Sequence, residues 1–119
     1  MITENRGVQA GRTRTRVSSP NREYQIDNVQ IEGWDSSSKT LIEAKDQYSQ
    51  FVTNGQFDSW WGGTKGLLNE AISQINVAQK YGLNLRWVSN NQDFVDTMKN
   101  LLTENNVPDR NMIQWQVRP

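Results

Sequence analysis

Apolar and polar positions alternate broadly at period two from Tyr24 to Trp34, and this spacing predicts a β-strand. The run Asp35-Ser36-Ser37-Ser38-Lys39 has the composition of a turn, and Thr40 to Lys45 resumes a strand-like pattern, so a β-hairpin is expected. Leu67, Leu68, Ala71, Ile72, Ile75 and Ala78 recur at helical spacing up to Gly82, a residue suited to follow a helix C-terminus. Leu83 to Val88 is short and apolar enough for a third strand. Phe94, Val95, Met98, Leu101 and Leu102 mark a second helix, and Met112 to Val117 alternates again. The order hairpin, helix, strand, helix, strand implies an α/β domain with helices packed on a mixed sheet. No internal repeat is visible. Between Asp46 and Gly63 no period is clean, and a short helix followed by a loop is expected. The aromatics there (Tyr48, Phe51, Phe57, Trp60, Trp61) either cover one edge of the core, the commoner role for aromatic stripes, or stack on bases.

Composition narrows the chemistry. A chain of 119 residues suits one folding unit, and although only 34% of residues are apolar, five tryptophans supply large surfaces for burial. No run approaches the ~18 apolar residues of a membrane span, and the N-terminus lacks the apolar stretch of a secretory signal, so a soluble domain without membrane insertion is expected. Cysteine and histidine are both absent. Disulfides, thiolate or imidazole zinc sites, cysteine nucleophiles and histidine bases are thereby excluded. Carboxylates, lysine and hydroxyls remain, and carboxylate oxygens suit hard cations such as Mg2+ or Mn2+.

Net charge is zero, but it is unevenly spread. Residues 1–22 hold Arg6, Arg12, Arg14, Arg16 and Arg22 against Glu4, and read as a basic N-terminal arm preceding a domain over 23–119. Arg12, Arg14 and Arg16 alternate, so an extended segment would turn all three to one side, where they can follow a phosphate backbone; a solvated tail is the plain alternative.

The hairpin carries the reactive groups. Glu43 and Lys45 stand two apart on a strand, so a carboxylate and an ammonium project from one face. With Ser36 to Lys39 as a four-residue loop, Asp35 pairs with Thr40, and stepping back along the ladder sets Glu32 opposite Glu43. Two facing carboxylates repel unless a cation, a proton or solvent relieves them. A divalent ion between them, with a lysine beside it, is the equipment for phosphodiester hydrolysis. If the loop is odd in length or a bulge intervenes, Asp35 replaces Glu32 as the ligand. A Glu-x-Lys triplet alone arises often by chance; a second acid at matching parity and an α/β continuation raise its meaning.

The stretches Tyr24 to Asp35 and Leu41-Ile42-Glu43-Ala44-Lys45, then Tyr48 and Phe51, the helix with Gln74 and Leu85-Arg86-Trp87-Val88 together resemble the restriction-endonuclease-fold toxin domains of bacterial polymorphic toxins. The resemblance covers roughly residues 22 to 117. It implies a PD-(D/E)xK nuclease: a mixed sheet with flanking helices and a hairpin bearing the active site. It further implies a secreted effector domain delivered into the target-cell cytoplasm and neutralised by a cognate immunity protein. The metal ligands would be Glu32, Asp35 and Glu43, with Lys45 as electrostatic catalyst. Where the family has aspartate before glycine, this chain has Glu32 before Gly33, and where it often has Gly-Pro-Gly after the lysine, this chain has Asp46-Gln47. In such nucleases a helical glutamine often points toward the catalytic strand, which gives Gln74 a helper role against that of an ordinary solvent-side residue. Lys65, at the start of the same helix, is either a DNA contact or a solvated lysine. DNA is the expected substrate; RNA, or a non-catalytic nucleic-acid-binding or protein-interaction module, are the alternatives.

Overall fold

The computed structural model describes residues 2–5 and 23–119. Its central sheet has four strands in the order β4 (Gly33–Asp35), β5 (Thr40–Ala44), β8 (Asn84–Ser89), β9 (Ile113–Val117). β4 runs antiparallel to β5, whereas β5, β8 and β9 are parallel neighbours, so the sheet is mixed. Parallel neighbours need crossovers, and α1 (Thr64–Tyr81) and α2 (Gln92–Glu104) supply them. A second, antiparallel sheet of β1 (Ile2–Asn5), β2 (Glu23–Ile26) and β3 (Val29–Ile31) leads into β4.

The run from Tyr24 to Trp34 is therefore three strands rather than the single one its alternation predicts. Asp27 and Asn28 both lie at positive φ (51° and 67°), and Ile26 pairs with Val29 across them. This is the tight two-residue hairpin turn whose twist suits antiparallel strands, and Asp and Asn tolerate its left-handed backbone better than most residues. The Asp27 carboxylate accepts from Lys80 Nζ (2.7 Å) and Tyr81 Oη (2.8 Å), pinning that turn to the end of α1. A bend at Glu32 then separates β3 from β4. In the next hairpin the register is the expected one: Asp35 pairs with Thr40, Trp34 with Leu41 and Gly33 with Ile42.

α1 forms where the apolar spacing places it, burying Leu67, Ala71, Gln74, Ile75, Val77 and Ala78. It stops at Gly82, whose φ of 66° is left-handed; Leu83 N donates to Ala78 O and Gly82 N to Gln79 O, which satisfies two terminal carbonyls. α2 starts at Asn91, whose side chain accepts from Phe94 N (2.8 Å). Both helices pack on one face of the four-stranded sheet, in a core that joins Leu41, Leu85, Trp87 and Ile113 to Ala71, Ile75 and Ala78 of α1 and Phe94, Met98 and Leu102 of α2. The alternate strand positions Ile42 and Arg86 are half-exposed and Gln114 is exposed.

Asp46 to Gly63 contains a single 3-10 turn (Ser49–Phe51) and a two-stranded ribbon, β6 (Val52–Thr53) with β7 (Gln56–Phe57), where a short helix and loop were expected. Its aromatics form a layer at the core edge. Tyr48, Phe57 and Trp61 pack against the core, and Phe51 stacks on Trp61 with centroids 4.4 Å apart, but Trp60 is 70% exposed.

Candidate active site

Glu43 and Lys45 share the β5 face that carries Leu41, so both point beneath α1 rather than into open solvent. Lys45 follows the last residue of β5 and is held there by its N–H to Val88 O (2.7 Å). Asp46 fixes the exit of the strand, accepting from Asn90 N (3.1 Å) and pairing with Arg118.

The Lys45 ammonium stands between two carboxylates, 3.0 Å from Glu43 Oε2 and 2.8 Å from Glu70 Oε1. It also lies 5.8 Å from the ring centroids of both Tyr48 and Trp87. Glu43 is 2% exposed. That burial, reinforced by the negative charge of Glu70 and opposed by Lys45, pushes the Glu43 carboxyl up to about 8. Burial works against the Lys45 ammonium, but its hydrogen bond to Glu70 and the charges of both carboxylates outweigh it and hold Lys45 protonated beyond the ordinary lysine range.

Gln74 is fully buried and points to β5, not to solvent: its Nε2 donates to Glu43 Oε1 (3.0 Å) and to Gln30 O (3.4 Å). Its Oε1 accepts from Trp87 Nε1 (2.9 Å), and Trp87 is the direct neighbour of Glu43 across the parallel β5–β8 register.

The acids foreseen on the hairpin lie differently. Glu32, at the bend before β4, is exposed, and its Oε1 accepts from Ala44 N (3.2 Å), beside Glu43 along the chain. Asp35 is engaged in the hairpin loop: its oxygens accept from Ser37 N (3.0 Å), Ser37 Oγ (2.7 Å) and Ser38 Oγ (2.9 Å), which hold its carboxyl below the usual range. Glu43 lies three positions along the strand from its partner Thr40, about 10 Å, and the structure does not bring Asp35 and Glu43 together. Lys65 is exposed in the first turn of α1, and Arg12, Arg14 and Arg16 lie outside the described residues.

Glu70 and Trp87 are the groups that strand parity does not reveal. Glu70 precedes Gln74 by one helical turn, so both reach the same side of α1, and that i, i+4 pair is the signal in the sequence.

The donor set suits a hard divalent ion: all oxygen, with Glu43 and Glu70 already converging on one cationic group. Among the described residues no three acidic side chains cluster as a ready-made metal cage. Mg2+ does not require one, because it is commonly held by one or two carboxylates with water and substrate phosphate completing the shell. Two carboxylates therefore meet a lysine at the end of β5 in the mixed sheet, a donor set that would suit an ion completed by water and phosphate.

Comparison with curated proteins and with solved structures gives no match. A family model, restriction endonuclease fold toxin 5, matches residues 7–92, a span that includes Glu32, Glu43, Lys45, Glu70, Gln74 and Trp87. The match takes in most of the chain, the mixed α/β architecture agrees with it, and the chain belongs to the restriction endonuclease fold toxin 5 family.

Proposed function

We propose that this domain is a toxin nuclease that hydrolyses DNA phosphodiester bonds with Mg2+ or Mn2+. The observation that carries the reading is the convergence of Glu43 and Glu70 on Lys45 at the end of β5. Glu43 and Glu70 would hold the ion, with Glu32 as a further carboxylate beside them and Asp35 as the less favoured alternative. When bound, the ion polarises the phosphate and makes water a better nucleophile. Lys45 supplies the charge that meets the developing negative charge on a non-bridging oxygen. Gln74 keeps Glu43 turned toward Lys45. Lys65 and the arginines Arg12, Arg14 and Arg16 would follow the strand backbone, without reading bases.

Family membership supports the biological setting: an antibacterial effector domain, secreted and delivered into the cytoplasm of a target cell, with a cognate immunity protein in the producer. No described helix is long and apolar enough to cross a membrane. The immunity partner is expected to lay carboxylates over Lys45 and the arginines, where phosphates would sit.

The test is incubation of the purified protein with supercoiled DNA and with RNA, in Mg2+, Mn2+ or chelator. Divalent-dependent loss of supercoiled DNA is expected. Cleavage of RNA alone would move the substrate to RNA, and a shift of DNA without cutting would make the domain a binding module. Calorimetry with Mn2+ assigns the ligands: Glu43→Gln and Glu70→Gln are expected to weaken binding by about tenfold or more, Glu32→Gln less, and Asp35→Asn hardly at all. Normal binding in Glu70→Gln with weak binding in Asp35→Asn would show that the ion sits at the hairpin tip instead.

A further inference from the structure

We infer that Trp87 is a positioning residue of the active site, acting through Gln74 to hold the Glu43 carboxylate in place. The inference rests on the nuclease reading for its catalytic consequence, but its geometric basis is independent of that reading.

An amide side chain has two faces that differ only in where the oxygen and nitrogen lie, and its neighbours decide between them. The indole N–H of Trp87 is a donor and never an acceptor, so it demands the Gln74 oxygen, 2.9 Å away. On the other side stands the Gln30 carbonyl, which only accepts and so demands the Gln74 nitrogen, 3.4 Å away. Neither group titrates, and both come from strands that pack against α1, β8 and β3. With the oxygen committed, the remaining N–H of Gln74 can only donate to Glu43 Oε1, at 3.0 Å. Reversing the amide would set N–H against N–H at Trp87 and oxygen against oxygen at Gln30. At 0% exposure for Gln74 and 1% for Trp87, water is not there to relieve such a contact.

The consequence falls on Glu43. One of its oxygens is held by Gln74, which leaves Oε2 facing the Lys45 ammonium at 3.0 Å. Trp87 touches none of the reacting atoms through this bond; it decides which way Gln74 points, and Gln74 decides which way Glu43 points.

The test replaces Trp87 with phenylalanine, Gln74 with leucine, and both together, in the full chain. In Trp87→Phe the rate of DNA cleavage is expected to fall about tenfold, mostly in kcat, and Gln74→Leu to fall at least as far. The double variant is expected to cleave within about twofold of Gln74→Leu, because an indole that acts through Gln74 has nothing to act on once Gln74 is gone. Independent, multiplicative losses would overturn the inference, since they mean that Trp87 contributes through its packing or its ring face toward Lys45 and not through Gln74. A readout separate from catalysis is the exchange of the Gln74 side-chain amide hydrogens by NMR: protected in the wild type, and at least tenfold faster in Trp87→Phe while backbone protection in α1 and β8 is retained. Unchanged exchange would likewise overturn it, even if the wild type cuts no nucleic acid. If Trp87→Phe does not fold, a benzothienyl side chain at position 87 keeps the bicyclic shape without the N–H, and the same two outcomes apply.

Discussion

Lys45→Ala and Glu43→Ala are each expected to reduce DNA cleavage by about a thousandfold or more while leaving secondary structure intact. Lys45 is the group that faces both Glu43 and Glu70, so its removal takes away the positive charge at the place where negative charge would build up. Breaking a buried pair often costs about 3–5 kcal/mol in stability. Here the loss is smaller, because Glu43 already tends to hold a proton and can neutralise itself when the ammonium goes. Two companion variants separate chemistry from packing. Lys45→Met keeps the stem between Tyr48 and Trp87, and Glu43→Gln keeps the volume of the buried carboxyl. All four variants are expected to be inactive, with circular dichroism close to that of the wild type. Cleavage at the wild-type rate in Lys45→Ala and Glu43→Ala, at matched folding, would place the active site elsewhere.

Without divalent ions the protein is expected to become less stable as the pH rises from about 4.5 to about 8, against the usual behaviour of carboxylates in folded proteins. In the unfolded chain the Glu43 carboxyl ionises near its ordinary value of 4.5, whereas burial and the charge of Glu70 let the folded site keep the proton up to about 8. Within that window the folded state binds more protons than the unfolded one, so removing protons favours unfolding. The loss should amount to a few kcal/mol across the window. Lys45 adds no slope there, because its raised value leaves it charged in both states until well above this range. Urea denaturation in chelator at successive pH values would measure the slope, which should be much flatter in Glu43→Gln. Saturating Mn2+ should reverse it in the wild type, since an ion binds the ionised carboxyl and its stabilisation grows with pH. Identical pH dependence in wild type and Glu43→Gln would mean that Glu43 does not hold its proton as the buried geometry requires.

What local pattern encodes was legible, and what long-range packing decides was not. The α1 stripe from Leu67 to Ala78 and the stop at Gly82 were readable because each depends on residues within a turn or two. So was the pairing of Asp35 with Thr40, which follows from the length of one loop. Asp27-Asn28 was overlooked although the apolar positions change phase there, from Tyr24 and Ile26 to Val29 and Ile31, and the two residue types are good candidates for a left-handed turn. Strand parity set Glu32 opposite Glu43, but the bend at Glu32 interrupts the ladder, and its carboxylate goes to the Ala44 N–H. Glu70 was hidden for a different reason. On a helix projection it falls at the edge of the apolar stripe, one turn before Gln74, and only the approach of α1 to β5 brings it onto Lys45. The aromatics between Tyr48 and Trp61 have no period because they sit on a turn and a ribbon, and they are fixed by one another and by Phe94.

The parallel crossover from β5 through α1 to β8 also bears on when the chain becomes chemically competent. Gln74 lies 31 positions from Glu43, and Trp87 lies 13 further on, so no short stretch contains the site. Parallel pairing closes a long loop before it gains any contact, which makes it slow compared with the local hairpins. Glu43 and Lys45 can be present in an early hairpin and still lack the helix carboxylate, the amide and the indole that organise them. If the proposed site is the active one, a partly folded chain, or one cut between β5 and β8 and separated, is expected to be inert, with the completed crossover as a late safety catch.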